Sequence, residues 1–104
     1  MVDVISTSEE YDSILKNNKS VFVDFYADWC GPCKMVGPLV EKISNEEKDV
    51  KFIKVNVDDF GDIAQRYGIM SIPTLLGFKN GALEATVVGF QPEAGLRSIV
   101  ERIK

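Results

Sequence analysis

An α/β fold, with a central mixed five-stranded sheet and four helices on its two faces, is what this 104-residue sequence predicts. Three observations lead there. Strand-like and helix-like apolar periodicities alternate along the chain, with no repeat, linker or low-complexity tract between them. The stretch V-F-V-D-F-Y, Val21 to Tyr26, is apolar on both faces apart from one aspartate, as a central strand covered on two sides must be. Finally, K-N-G-A at Lys79 to Ala82 contains the Asn-Gly pair that favours a tight hairpin, so this part of the sheet is antiparallel.

The elements follow in the order βαβαβαββα. Val2, Val4 and Ile5 make a short apolar start. Thr7 and Glu10 have capping-box spacing, and Tyr11, Ile14 and Leu15 share one face of a first helix that Asn17-Asn18 ends. After the strand at Val21–Tyr26, helical spacing of Met35, Val36, Leu39, Val40 and Ile43 runs from Cys33 to about Glu47, with Pro38 inside predicting a bend. Lys51 to Val57 is the next strand. Asp58-Asp59 then cap a helix carrying Ile63, Ala64 and Tyr67, which stops at Gly68. Leu75–Phe78 and Glu84–Val88 form the hairpin. Pro92 suits the first turn of a last helix, whose Leu96, Ile99, Val100 and Ile103 fall at i, i+3, i+4 and i+7.

Composition narrows the function. Hydrophobic residues at 45% supply one core, and the length allows one domain over residues 1–104. A formal charge of -4, with no basic cluster, argues against nucleic acid and anionic membranes as partners. No apolar run approaches the roughly 20 residues of a membrane span. The first residues, M-V-D-V-I-S-T-S-E-E, lack the basic-then-apolar order of a secretory signal, so the expected location is cytoplasmic; the expected state is a monomer.

The two cysteines are the chemistry. Both stand in D-W-C-G-P-C-K, Asp28 to Lys34, at the start of the second helix and just after the central strand. In a reducing compartment, and closing so short a loop, a disulfide here is no structural staple. Zinc or an iron–sulfur cluster needs more ligands than two cysteines and no histidine provide, so no bound cofactor or metal is expected. One turn of helix brings the sulfurs close enough for a reversible disulfide. Cys30, beside unpaired backbone N–H groups and the positive end of the helix, is expected to be the more acidic and more exposed thiol and the attacking nucleophile. Cys33, facing the body of the protein, resolves the mixed disulfide by attacking Cys30.

Asp24 is the one charge in V-F-V-D-F-Y. The pattern leaves two readings: a buried carboxyl with a raised pKa, or a solvated residue at a sheet edge. Lys54, alternating with Phe52 and Asn56, is either a neighbour of Asp24 across the sheet or an ordinary solvated lysine.

Taken together, W-C-G-P-C-K, the preceding F-V-D-F-Y, K-V-N-V-D at Lys54 to Asp58, Y-G-I at Tyr67 to Ile69, Ile72-Pro73-Thr74, F-K-N-G at Phe78 to Gly81 and Gly89 resemble the thioredoxin family over the whole chain. The resemblance implies the thioredoxin fold and a protein-disulfide reductase working through Cys30 and Cys33. It implies that Asp24 lies beneath the disulfide and takes the proton of Cys33. By the same resemblance Pro73 is cis and faces the cysteines, and Ile72 offers backbone hydrogen bonds to an extended substrate. Trp29, Gly31, Pro32, Ile72, Pro73, Gly89 and Phe90 then form the contact surface. The implied partners are disulfide-containing proteins and a thioredoxin reductase, in the family most often a flavoprotein using NADPH. Two departures stand out: Tyr26 where many members have a second tryptophan, and Phe90 where a smaller residue is frequent. Rival readings are a disulfide oxidase or isomerase of the same fold, and a non-catalytic subunit that binds a partner around Cys30.

Overall fold

Sheet pairing turns the predicted alternation into a layered structure in the computed structural model, which describes residues 1–104. The elements are β1 (Asp3–Val4), α1 (Ser8–Asn17), β2 (Ser20–Tyr26), α2 (Gly31–Glu46), β3 (Lys51–Asn56), α3 (Gly61–Arg66), β4 (Thr74–Lys79), β5 (Ala82–Val88) and α4 (Glu93–Ile103). Strand order is β1-β3-β2-β4-β5. The first three strands of that order run parallel, while β4 is antiparallel to β2 and β5 to β4.

The period-2 alternation of β2 and β3 sorts their side chains to two cores. Phe22, Phe52 and Leu75 pack under Val36, Val40 and Ile43 of α2 and Leu96, Ile99, Val100 and Ile103 of α4. Val23, Phe25, Ile53, Val55 and Leu76 pack on the other face with Tyr11 of α1 and Ile63 of α3. Because β2 has a strand on each side and a helical layer on each face, all its residues before Tyr26 are buried.

Most helix ends follow the sequence signals. At α1 the Glu10 N–H donates to Thr7 Oγ1 at 3.0 Å, and the Glu10 carboxylate accepts from the Ser6 N–H at 2.8 Å. The helix α2 continues past Pro38. At the end of α3, Ile69 N–H reaches Ala64 O and Gly68 N–H reaches Gln65 O, both at 3.1 Å, the paired bonds of a Schellman stop. In the β4–β5 turn Asn80 (φ 52°) and Gly81 (φ 80°) both take the left-handed conformation of a type I′ hairpin, which asparagine and glycine tolerate best.

Two expected caps are corrected. The residue ahead of α3 is Phe60, with no side-chain cap; Asp58 and Asp59 lie in the preceding turn, where the Asp58 carboxylate is taken by Trp29. Pro92 stands at the N-cap of α4, one position ahead of the first turn, because its ψ of 166° is extended.

The approach of α4 to the sheet depends on Gly77. A Cβ added there would lie 2.9 Å from Cγ2 of both Ile99 and Ile103, branch atoms that have little freedom in a packed helix. Gly77→Ala is expected to lower stability by about 1–2 kcal/mol, overpacking outweighing a gain of about 0.5 from a stiffer unfolded chain. Urea unfolding checks this. An unchanged midpoint would mean that α4 shifts freely on the sheet.

Candidate active site

The site begins where β2 runs out. After Tyr26 the chain turns through Ala27, Asp28 and Trp29, and the Cys30 N–H bonds Ala27 O at 3.2 Å. Cys30 is the N-cap of α2, with extended backbone (φ -86°, ψ 112°), followed by Gly31, Pro32 and Cys33 in the first turn. Proline suits this position, having no N–H to leave unpaired. Cys30 and Cys33 are bonded as a disulfide, their Cα atoms 5.3 Å apart. The Cys33 N–H points at Cys30 Sγ, 3.2 Å away. One of the helix's orphan donors therefore already faces the sulfur that a thiolate would occupy.

The two sulfurs sit in a small apolar cluster with Ala27, flanked by Tyr26, Val57 and Ile72. Cys30 is 4% exposed and Cys33 6%, so the expectation that Cys30 is the more exposed does not hold for the disulfide form. The reason is the facing loop, which brings the Ile72 carbonyl oxygen to 3.7 Å from Cys30 Sγ. That loop contains the cis Ile72–Pro73 peptide. It is tied down on both sides: Thr74 Oγ1 donates to Ser71 O at 2.6 Å, and the Gly89 N–H donates to Pro73 O at 2.7 Å. Gly89 has φ 91°, open to glycine and strained for other residues, which lets the chain leaving β5 meet the Pro73 loop.

Exposed apolar groups surround this point. Trp29 is 71% exposed, and its indole Nε1–H donates to Asp58 Oδ2 at 2.9 Å. Asp58 is oriented in turn by Asn56, whose Oδ1 accepts the Asp58 N–H at 2.9 Å. Phe90 is exposed, and so are Met70 and Val88, which no sequence motif marks. Nothing local distinguishes those two from core residues. Asp58 was visible as a candidate helix cap and as the end of K-V-N-V-D, not as a partner of Trp29.

On the inner side, Asp24 and Cys33 line one cavity of about 480 Å³, together with Lys54, Tyr26, Lys34 and Glu41. Asp24 is buried in the central strand, which rules out the sheet-edge alternative, and its Oδ1 has no hydrogen-bond partner. Burial pushes its pKa up from 3.8 to about 6, outweighing Lys54, which pulls the other way. Lys54 is the register partner of Asp24 on β3. Its ammonium makes no ion pair with Asp24 and lies instead over the Tyr26 ring, 4.3 Å from the centroid. No group of three or more Cys, His, Asp or Glu side chains converges on a metal position, and no helix is long and apolar enough to cross a membrane.

A reversible cysteine pair at a helix N-terminus, opposite a cis-proline loop on a mixed sheet, defines a thiol–disulfide exchange protein. The thioredoxin family model matches residues 2–102. Thioredoxin-1 of Saccharomyces cerevisiae is 49% identical over 94 residues, covering 90% of this chain and 91% of that protein. A Plasmodium falciparum thioredoxin structure superposes with a TM-score of 0.92 at 36% identity, over 99% of this chain and 100% of the other. The Malassezia sympodialis thioredoxin structure gives 0.89 at 42% identity, over 100% and 92%. The chain belongs to the thioredoxin family. It is a thiol–disulfide oxidoreductase with protein-disulfide reductase activity, and its redox group is the Cys30–Cys33 disulfide, with no cofactor required.

Proposed function

We propose that the whole chain, residues 1–104, is a single thioredoxin domain working as a monomeric electron carrier of the cytoplasm, with Cys30 as nucleophile, Cys33 as resolving thiol and Asp24 as the base for Cys33. The carrying observation is the asymmetry of the pair. Cys30 Sγ faces the Cys33 N–H and the Ile72 loop, whereas the Cys33 side chain lines the cavity that holds Asp24.

In the first step the Cys30 thiolate attacks one sulfur of a substrate disulfide; a Cys30–substrate bond forms, the substrate S–S bond breaks, and one substrate thiolate leaves and takes a proton. Asp24 then accepts the Cys33 proton, and the Cys33 sulfur attacks Cys30 Sγ, breaking the mixed disulfide and expelling the second substrate sulfur as a thiolate, which takes a proton from Asp24 or from water. Two electrons pass to the substrate, whose two protons come from Cys33 by way of Asp24 and from water, and the Cys30–Cys33 bond is made. Trp29, Gly31, Pro32, Ile72, Pro73, Gly89 and Phe90 receive the substrate segment around Cys30. The exposure of Trp29 and Phe90 supports this, as does the Ile72 carbonyl beside the sulfur. Lys54 supports the charge balance around Asp24. A flavoprotein thioredoxin reductase using NADPH returns the protein to the dithiol.

One experiment tests partner and roles together. Oxidised protein is treated with NADPH and a flavoprotein thioredoxin reductase, then alkylated briefly at neutral pH and mapped by peptide mass. Thiols are expected only when both reagents are present, with Cys30 labelled well before Cys33. Absence of thiols would reject this class of reductase; equal labelling, or Cys33 first, would reject the role assignment.

A further inference from the structure

Lys54 has a choice of partner. Its Cα is in register with Asp24 on the adjacent parallel strand, and neighbouring strands lie about 4.8 Å apart, so the lysine arm is long enough to reach the carboxylate. Two residues further along β2 is Tyr26, on the same face of the sheet. The ammonium lies over the Tyr26 ring, 4.3 Å from its centroid, while Asp24 Oδ1 is left without a hydrogen-bond partner. A cation that turns from a nearby carboxylate to an aromatic face is being directed by that ring.

We propose that Tyr26 is a positioning residue, whose ring holds the Lys54 ammonium beside the Asp24 carboxyl and keeps it from forming an ion pair there. The ionisable side chains lining the cavity with Asp24 are Lys54 from β3, Lys34 and Glu41 from α2, and Tyr26 and Asp28 at and after the end of its own strand; Cys33 of α2 also lines it but is tied in the disulfide, and on β4 the register partner of Asp24 is apolar Leu75. Lys54 is the only cation besides Lys34 in that set, and Lys34 is exposed on α2. A direct ion pair would hold Asp24 ionised and make it a poor proton acceptor. Held at a distance, the ammonium leaves the carboxyl titrating at about 6. The catalytic meaning of this arrangement rests on the reading of Asp24 as the base for Cys33; the positioning itself does not.

The test follows the Asp24 carboxyl carbon by NMR across pH in oxidised protein. Tyr26→Leu removes the ring, and the Asp24 midpoint is expected to fall by about one pH unit as the ammonium pairs with the carboxylate. Tyr26→Phe, which keeps the ring, is expected to leave the midpoint unchanged. In a Lys54→Met background, Tyr26→Leu is expected to cause no fall. An unchanged midpoint in Tyr26→Leu would overturn the proposal, and so would a fall that persists with Lys54→Met, since water entering the cavity would then be the cause. Single-turnover reduction of a protein disulfide across the same pH range separates the two readings. A rate profile that moves with the Asp24 midpoint supports both, whereas a moved midpoint with an unmoved profile supports the positioning and rejects Asp24 as the base.

Discussion

Replacing Cys33 with serine is expected to give a protein that attacks a protein disulfide once and then stalls as a mixed disulfide through Cys30. Cys33 lies one helical turn from Cys30, its Cα 5.3 Å away, so its sulfur acts as a neighbouring group at very high effective concentration. Well-oriented intramolecular partners reach effective molarities of about 10⁵ M or more, far above any concentration an external thiol attains. Turnover is therefore expected to fall by at least roughly a thousandfold in Cys33→Ser. Cys30→Ser is expected to lose activity as completely but to trap no adduct, because Cys33 lines the inner cavity and lacks the helix N–H that faces Cys30 Sγ. Non-reducing mass spectrometry after mixing with a disulfide substrate distinguishes them. Adducts on Cys33 in the Cys30→Ser protein, or none in Cys33→Ser, would reverse or remove the assigned roles.

Asp24→Asn is expected to stabilise the fold and slow the reaction together. The folded-state pKa is about 6, raised from 3.8 first by burial. Between those two values the folded protein binds more protons than the unfolded chain. Stability of the native protein therefore falls as pH rises from about 4 to about 6, and stays lower above that. At about 1.4 kcal/mol per pH unit the ionised carboxylate costs about 3 kcal/mol at neutral pH. Asparagine removes the charge at nearly the same volume, so the gain should be absent near pH 4 and rise to as much as about 3 kcal/mol by pH 7, less whatever the amide loses in unmade hydrogen bonds. Single-turnover reduction should slow by about 10- to 100-fold, the cavity leaving water as a poorer acceptor for the Cys33 proton. Denaturant unfolding of the oxidised proteins across pH, with rates measured alongside, checks both. A variant that is neither stabilised nor slowed would show that Asp24 carries no charge in the cavity and takes no proton.

Much of this protein is legible locally because its signals are short-range. Apolar period separates strands from helices, Thr7 and Glu10 mark a helix start, and Asn80-Gly81 marks the only hairpin. The cysteine spacing is equally local: with two residues between them at a helix start, the sulfurs lie within reach of each other. Where local signals mislead, a side chain has a distant partner. Asp58 looks like a helix cap from its neighbours, yet accepts the indole N–H of Trp29, 29 positions away in sequence. Cys30 looks exposed from its place at the helix end, yet is covered by Ile72 from the loop before β4.

By itself, then, the sequence determined the order of elements, the sorting of apolar residues to two faces, and the dithiol chemistry, since each depends on residues within about one turn or one strand of one another. Only the tertiary structure decided that Asp24 lies mid-sheet with an unpartnered oxygen, that Lys54 rests on Tyr26, and that the Pro73 loop is tied to Gly89 beside the disulfide. Those facts follow from strand order β1-β3-β2-β4-β5. Strand order is set by the burial of whole faces against α2, α4, α1 and α3, a sum over residues far apart in the chain that no local pattern contains.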